Sequence, residues 1–104
     1  MMTSIEMKKV LANKLKSEGC GFTYKDITIN KIKKDCYHII IKDYEHILFR
    51  MTFEYDDFFG YCVFINEIYV NTREAENIVF IDSKYNYDIK DSLLYLGYHI
   101  ANTF

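Results

Sequence analysis

Cys36-Tyr37-His38-Ile39-Ile40-Ile41-Lys42, then Asp43-Tyr44-Glu45, then His46-Ile47-Leu48-Phe49-Arg50-Met51-Thr52-Phe53-Glu54-Tyr55 is the stretch that decides the fold. In its last segment Ile47, Phe49, Met51, Phe53 and Tyr55 alternate with His46, Leu48, Arg50, Thr52 and Glu54. A period of two sends alternate side chains to opposite faces of a strand, so the pattern describes a sheet with one apolar and one wetter face. Two such runs around a short polar break predict an antiparallel hairpin. A loop of Asp43-Tyr44-Glu45 sets Ile41 opposite Ile47, Ile39 opposite Phe49 and Tyr37 opposite Met51. A loop one residue shorter pairs Ile39 with Arg50 and His38 with Met51. That slip exchanges the faces and loses apolar pairs, so the first register is expected. It places Cys36, His38, His46, Arg50, Thr52 and Glu54 on the outer face.

The neighbouring segments extend the hairpin into a meander. Upstream, Ile27 and Ile29 alternate with polar residues over Asp26–Lys33, and Lys33-Lys34-Asp35 reads as a turn. Downstream, Asp56-Asp57-Phe58-Phe59-Gly60 reads as a second turn. Tyr61–Val70 then reads as a strand apolar on both faces, with Tyr61, Val63 and Ile65 against Cys62, Phe64 and Ile68. Such a strand is central or covered. Residues 71–83 support two readings. Asn71-Thr72-Arg73-Glu74 could cap a helix carrying Ala75, Ile78 and Val79, or Ile78-Val79-Phe80-Ile81 could form a fifth strand. The helix is preferred, because four strands already make an ordinary sheet.

A helix flanks the meander at each end. Thr3-Ser4-Ile5-Glu6 has the form of a capping box, Met2 and Met7 stand at hydrophobic-staple positions, and Met7, Leu11 and Leu15 make one apolar stripe. Gly19 suits a left-handed stop, which sets the helix at about residues 4–18. Near the other end Asp88 is an N-cap, Asp91 favours the helix dipole, and Ile89, Leu93, Leu96, Ile100 and Phe104 form the stripe. Gly97 weakens that helix by about 1 kcal/mol relative to Ala, unless it lets the helix approach the sheet closely. The expected fold is therefore α+β: a four-stranded antiparallel meander, five-stranded if 71–83 are extended, flanked by N- and C-terminal helices. A chain of 104 residues is read as a single domain, 1–104.

Composition narrows the function classes. Half the residues are hydrophobic and 17% are aromatic, enough to close a core. The net charge is −2 and only two arginines occur, Arg50 and Arg73, so generic phosphate-backbone binding is disfavoured. Fourteen Ile, eleven Lys, ten Tyr and seven Asn stand against three Ala, two Arg and no Pro, a bias toward AT-rich codons. It points to a low-GC bacterium, its phage or plasmid, or an AT-rich virus. No signal peptide or membrane-spanning run is read, and Cys20, Cys36 and Cys62 are expected as free thiols in a reducing cytoplasm. In the phage case that is the host cytoplasm.

No nucleotide-loop, kinase or hydrolase motif occurs. Cys36 and His38, with His46, could offer metal ligands on one face, but a structural zinc site needs four, and none is assigned. Cys36, His38 and Glu54 could make a nucleophilic set, yet no glycine-rich oxyanion turn adjoins them. Lys31, Lys33, Lys34, Lys42 and Arg50 near Tyr37 sketch a weak nucleic-acid face. The surplus lies elsewhere. Asp56 and Asp57 are ordinary turn chemistry, but Phe58 and Phe59 beside them are not. Those rings either fold back on the core, the preferred reading, or serve a partner. With Asp56, Asp57 and Tyr61 they form the expected partner-binding set. Tyr95, Tyr98 and Leu94 lie off the main stripe of the last helix and suit a homodimer face. The function expected is a non-enzymatic protein-binding module without a cofactor, an inhibitor of host defence machinery of CRISPR type carried by a phage or mobile element. A small metal-binding or Cys/His enzyme and a nucleic-acid-binding sheet are the alternatives.

Overall fold

The computed structural model describes residues 2–43, 46–58, 60–68, 77–80 and 88–103. Its order is α1 (Ser4–Ser17), a short 3-10 turn (Tyr24–Asp26), β1 (Ile27–Lys33), β2 (Cys36–Asp43), β3 (His46–Asp56), β4 (Gly60–Ile68), a short extended segment β5 (Asn77–Phe80) and α2 (Ile89–Thr103). β1 to β4 form an antiparallel meander in sequence order. The fold is α+β, as the two periodicities require.

Local chemistry sets the helix ends. The Glu6 amide donates to Thr3 Oγ1 at 3.1 Å while the Glu6 carboxylate accepts from the Thr3 amide at 3.4 Å, which completes the capping box. At the other end Gly19 adopts φ +79°, its amide donates to the Lys16 carbonyl at 3.1 Å, and the Cys20 amide donates to the Leu15 carbonyl at 2.9 Å. Those paired bonds are a Schellman stop, which needs a residue tolerant of the left-handed region. α2 starts as expected too, with the Asp91 amide donating to Asp88 Oδ1 at 2.9 Å.

Both helices pack on one face of the sheet. Met7, Leu11 and Leu15 of α1 and Leu93, Leu96 and Ile100 of α2 join Ile27, Ile29, Tyr37, Ile39, Ile41, Met51, Phe53, Tyr61 and Val63 in one buried cluster. Each large apolar side chain taken out of water there contributes about 1.5–3 kcal/mol. The helices run parallel: Met2 and Ile89 line one cleft, while Gly19 and Ala101 line another at the opposite end. Gly97 sits at their contact. A Cβ there would lie 2.7 Å from Lys14 Cγ and 3.4 Å from Leu11 Cδ1. The close approach that glycine permits is therefore to α1, not to the sheet.

From the Ile41–Phe49 pair to the Cys36–Glu54 pair the hairpin keeps the expected parity with different partners. Ile41 pairs with Phe49, Ile39 with Met51 and Tyr37 with Phe53, two residues along from the expected register. The cause is a bulge. Asp43 pairs with His46 and Lys42 with Ile47, one residue out of step with the pairs beyond, and the register shifts between Ile41 and Lys42. One extra residue on β3 restores the expected parity from Phe49 onward, so Met51 and Phe53 stay inward, whereas His46 and Ile47, on the other side of the bulge, pair with residues of the opposite parity to that expected.

The preference for a helix over 71–83 is corrected for its four described residues. Asn77–Phe80 are extended and pair with β4, Val79 opposite Val63 and Phe80 opposite Cys62. A β-branched pair followed by an aromatic fits beside a strand that is apolar on both faces. The rest of 71–83 lies outside the described residues. The 3-10 turn has no signature in the hydrophobic periodicity. It is held by the Thr23 amide donating to Asp26 Oδ2 at 2.8 Å, a local side-chain bond that ends the loop before β1.

Candidate interaction surface

The β3–β4 turn is the end of the sheet that the sequence marks out. Asp56 pairs with Gly60, which closes the turn around Asp57 and Phe58. The Phe58 amide donates to Asp56 Oδ1 at 2.8 Å, and Gly60 takes φ +76°. An aspartate closing the turn and a glycine in the left-handed position are what a tight hairpin turn needs. Held this way, Phe58 is 79% exposed. Asp56 and Asp57 beside it are exposed as well. The reading in which the tip folds back is thus corrected for Phe58, whereas Phe59 lies outside the described residues.

Tyr61 does not join that surface. Its side chain is 7% exposed, and its ring stacks on Phe53 with centroids 4.9 Å apart and planes 7° from parallel. Tyr55 meets it edge-on at 5.1 Å. Strand alternation turns Tyr61 inward, in register with Tyr55 across the hairpin. Burial first, then the nearby Asp35 carboxylate, pushes the Tyr61 phenol up to about 12. The rings pack together beneath the tip, which leaves the Tyr61 side chain buried rather than presented at the surface.

The other candidate sets come apart on the same geometry. Cys36 and Glu54 are cross-strand partners, and Glu54 in turn pairs with Cys62, so a thiol, a carboxylate and a thiol lie in a row across three strands. Both thiols are buried. Burial, followed by the charge of Glu54 and a hydrogen bond to it, raises the Cys36 thiol above its ordinary value. Burial and then Asp56 raise that of Cys62. These are protonated, shielded thiols, the reverse of an activated nucleophile. Two strand spacings of about 4.8 Å each put their backbones too far apart for a disulfide. His46 pairs with Asp43 at the far end of the hairpin. At about 3.3 Å per residue it lies more than about 20 Å from Cys36, so the two cannot share an ion. Among the described residues no three His, Cys, Asp or Glu side chains are grouped to hold a metal.

The nucleic-acid face also divides. Tyr37 is buried on the helix-covered side and cannot stack on a base. Lys42 and Arg50 belong by register to the opposite face. No described helix is long and apolar enough to cross a membrane.

A second surface lies on the helices. Leu94, Tyr95 and Tyr98 of α2 line a shallow groove with Asp91 and with Lys14 of α1. Tyr98 is 45% exposed, and the Tyr95 ring meets His99 edge-on at 4.6 Å. The aromatic members are legible off the α2 stripe. Lys14 and Asp91 are brought together only by the parallel helix packing at Gly97, whose sole trace in the sequence is a glycine in mid-helix.

Comparison with protein-family models, with curated proteins and with solved structures finds no match.

Proposed function

We propose that this chain is a non-enzymatic protein-binding module whose contact element is the β3–β4 tip. One observation carries the reading: Phe58 is largely exposed on a turn held by its own hydrogen bond and a left-handed glycine. An aromatic ring held in water is a preformed anchor, because little ordering remains to be done on binding. Asp56 and Asp57 collar it with negative charge. The complementary surface is an apolar pocket with a basic rim. The finer role, an inhibitor carried by a phage or mobile element against host defence machinery, draws on the AT-rich composition and the small size.

A photo-reactive phenylalanine analogue at position 58 tests the contact, with the same analogue at position 32 as control, since Ile32 is 59% exposed on β1. In a lysate of a low-GC bacterium, position 58 gives a discrete adduct and position 32 does not. Excess unmodified chain competes for it and the Phe58→Ala chain does not. Equal adducts from both positions, or competition by Phe58→Ala, would contradict the reading.

A further inference from the structure

We infer that the α2 groove is a self-association surface, and that its occupant is the same groove of a second copy of this chain. A two-fold contact joins one patch to itself, so the patch must be self-complementary in shape and charge. This one is. Its floor is Leu94, Tyr95 and Tyr98, apolar and aromatic, and it is flanked by one cation and one anion, Lys14 from α1 and Asp91 from α2. Facing a rotated copy, each Lys14 meets the other copy's Asp91 while the tyrosines pack at the centre. Tyrosine suits that centre, because its ring is buried while its hydroxyl stays near the wet rim. Lys14 Nζ already pairs with Glu18 Oε1 at 2.8 Å. An ammonium has three donors, so that bond positions Lys14 without saturating it. A partner of a single charge sign would satisfy only one of the two flanks, whereas a second copy satisfies both.

The pairing rule makes the test a charge swap. Wild type, Lys14→Glu, Asp91→Lys and an equal mixture of the two variants are measured by sedimentation velocity over a concentration series, with circular dichroism to show that each is folded. Wild type sediments as a concentration-dependent dimer. Each single reversal puts like charges at both contacts and raises the dissociation constant about tenfold or more. The mixture recovers the wild-type constant within about threefold, because both contacts of the heterodimer again join one cation to one anion. A monomeric wild type overturns the inference, as does a mixture no tighter than its components. If one variant is unfolded, Tyr98→Glu replaces it, and an unchanged dimer then overturns the inference. The β3–β4 tip has no part in this contact, so either result leaves the function proposed for Phe58 standing or falling on its own test.

Discussion

Two turns close the same end of the sheet, and they are built differently. The β1–β2 turn is Lys34-Asp35, and the β3–β4 turn carries Asp57 and Phe58. They are neighbours: Cys36 pairs with Glu54, and the Tyr55 amide donates to the Asp35 carbonyl at 2.8 Å. Each uses one left-handed residue, Asp35 at φ +56° and Gly60 at φ +76°. The first turn closes with polar residues alone. The second meets the same geometric demand and adds an exposed phenylalanine. Turn closure therefore does not require Phe58. The 79% exposure of Phe58 is the observation on which the proposed binding role rests.

The comparison can be broken from below. Phe53 carries the base of the second turn, fully buried and stacked on Tyr61. Phe53→Ala should cost about 3–5 kcal/mol in denaturant unfolding. A loss under about 1 kcal/mol would mean that the ring stack is not a support. The two left-handed residues come next. Gly60→Ala should cost about 1–2 kcal/mol, since a Cβ is disfavoured at that φ, while Asp35→Gly should stay within about 0.5 kcal/mol. Equal effects at the two sites would remove the distinction between a turn that demands glycine and one that tolerates aspartate.

A smaller effect is read by pH. The Tyr61 phenol is raised to about 12 from its ordinary 10, burial being the first cause. The folded state thus holds this proton more tightly than the unfolded state does. Its stabilisation is complete below about pH 10 and is lost as pH rises toward about 12. Cys36 and Cys62 act in the same direction from their ordinary value of 9. Thermal melting should fall through this alkaline window, and Tyr61→Phe should make the fall shallower. An unchanged slope would place Tyr61 in water and not beneath the tip.

Much of this architecture is legible in local sequence because local rules decide it. The capping box at Thr3, the stop at Gly19, the cap at Asp88 and the two-residue alternation through Met51 and Phe53 each depend on a few neighbouring residues. What was not legible depends on partners distant in the chain. The bulge on β3 between Ile47 and Phe49 is invisible to alternation, which reads a uniform period through it. The extended Asn77–Phe80 needed the second apolar face of β4, and the role of Gly97 needed α1. The candidate site divides along the same line. Asp56, Asp57 and Phe58 were readable as an odd turn. Whether Phe58 faced water, and that Tyr61 did not, depended on how the hairpin tip meets the core.

Phe58→Ala, measured at once for stability and for partner capture, tests the central claim most directly. The account predicts unfolding free energy within about 0.5 kcal/mol of wild type, the range of surface substitutions, with capture lost. A loss of about 2 kcal/mol or more would show Phe58 to be a structural residue, and full stability with capture retained would show that the tip is not the contact.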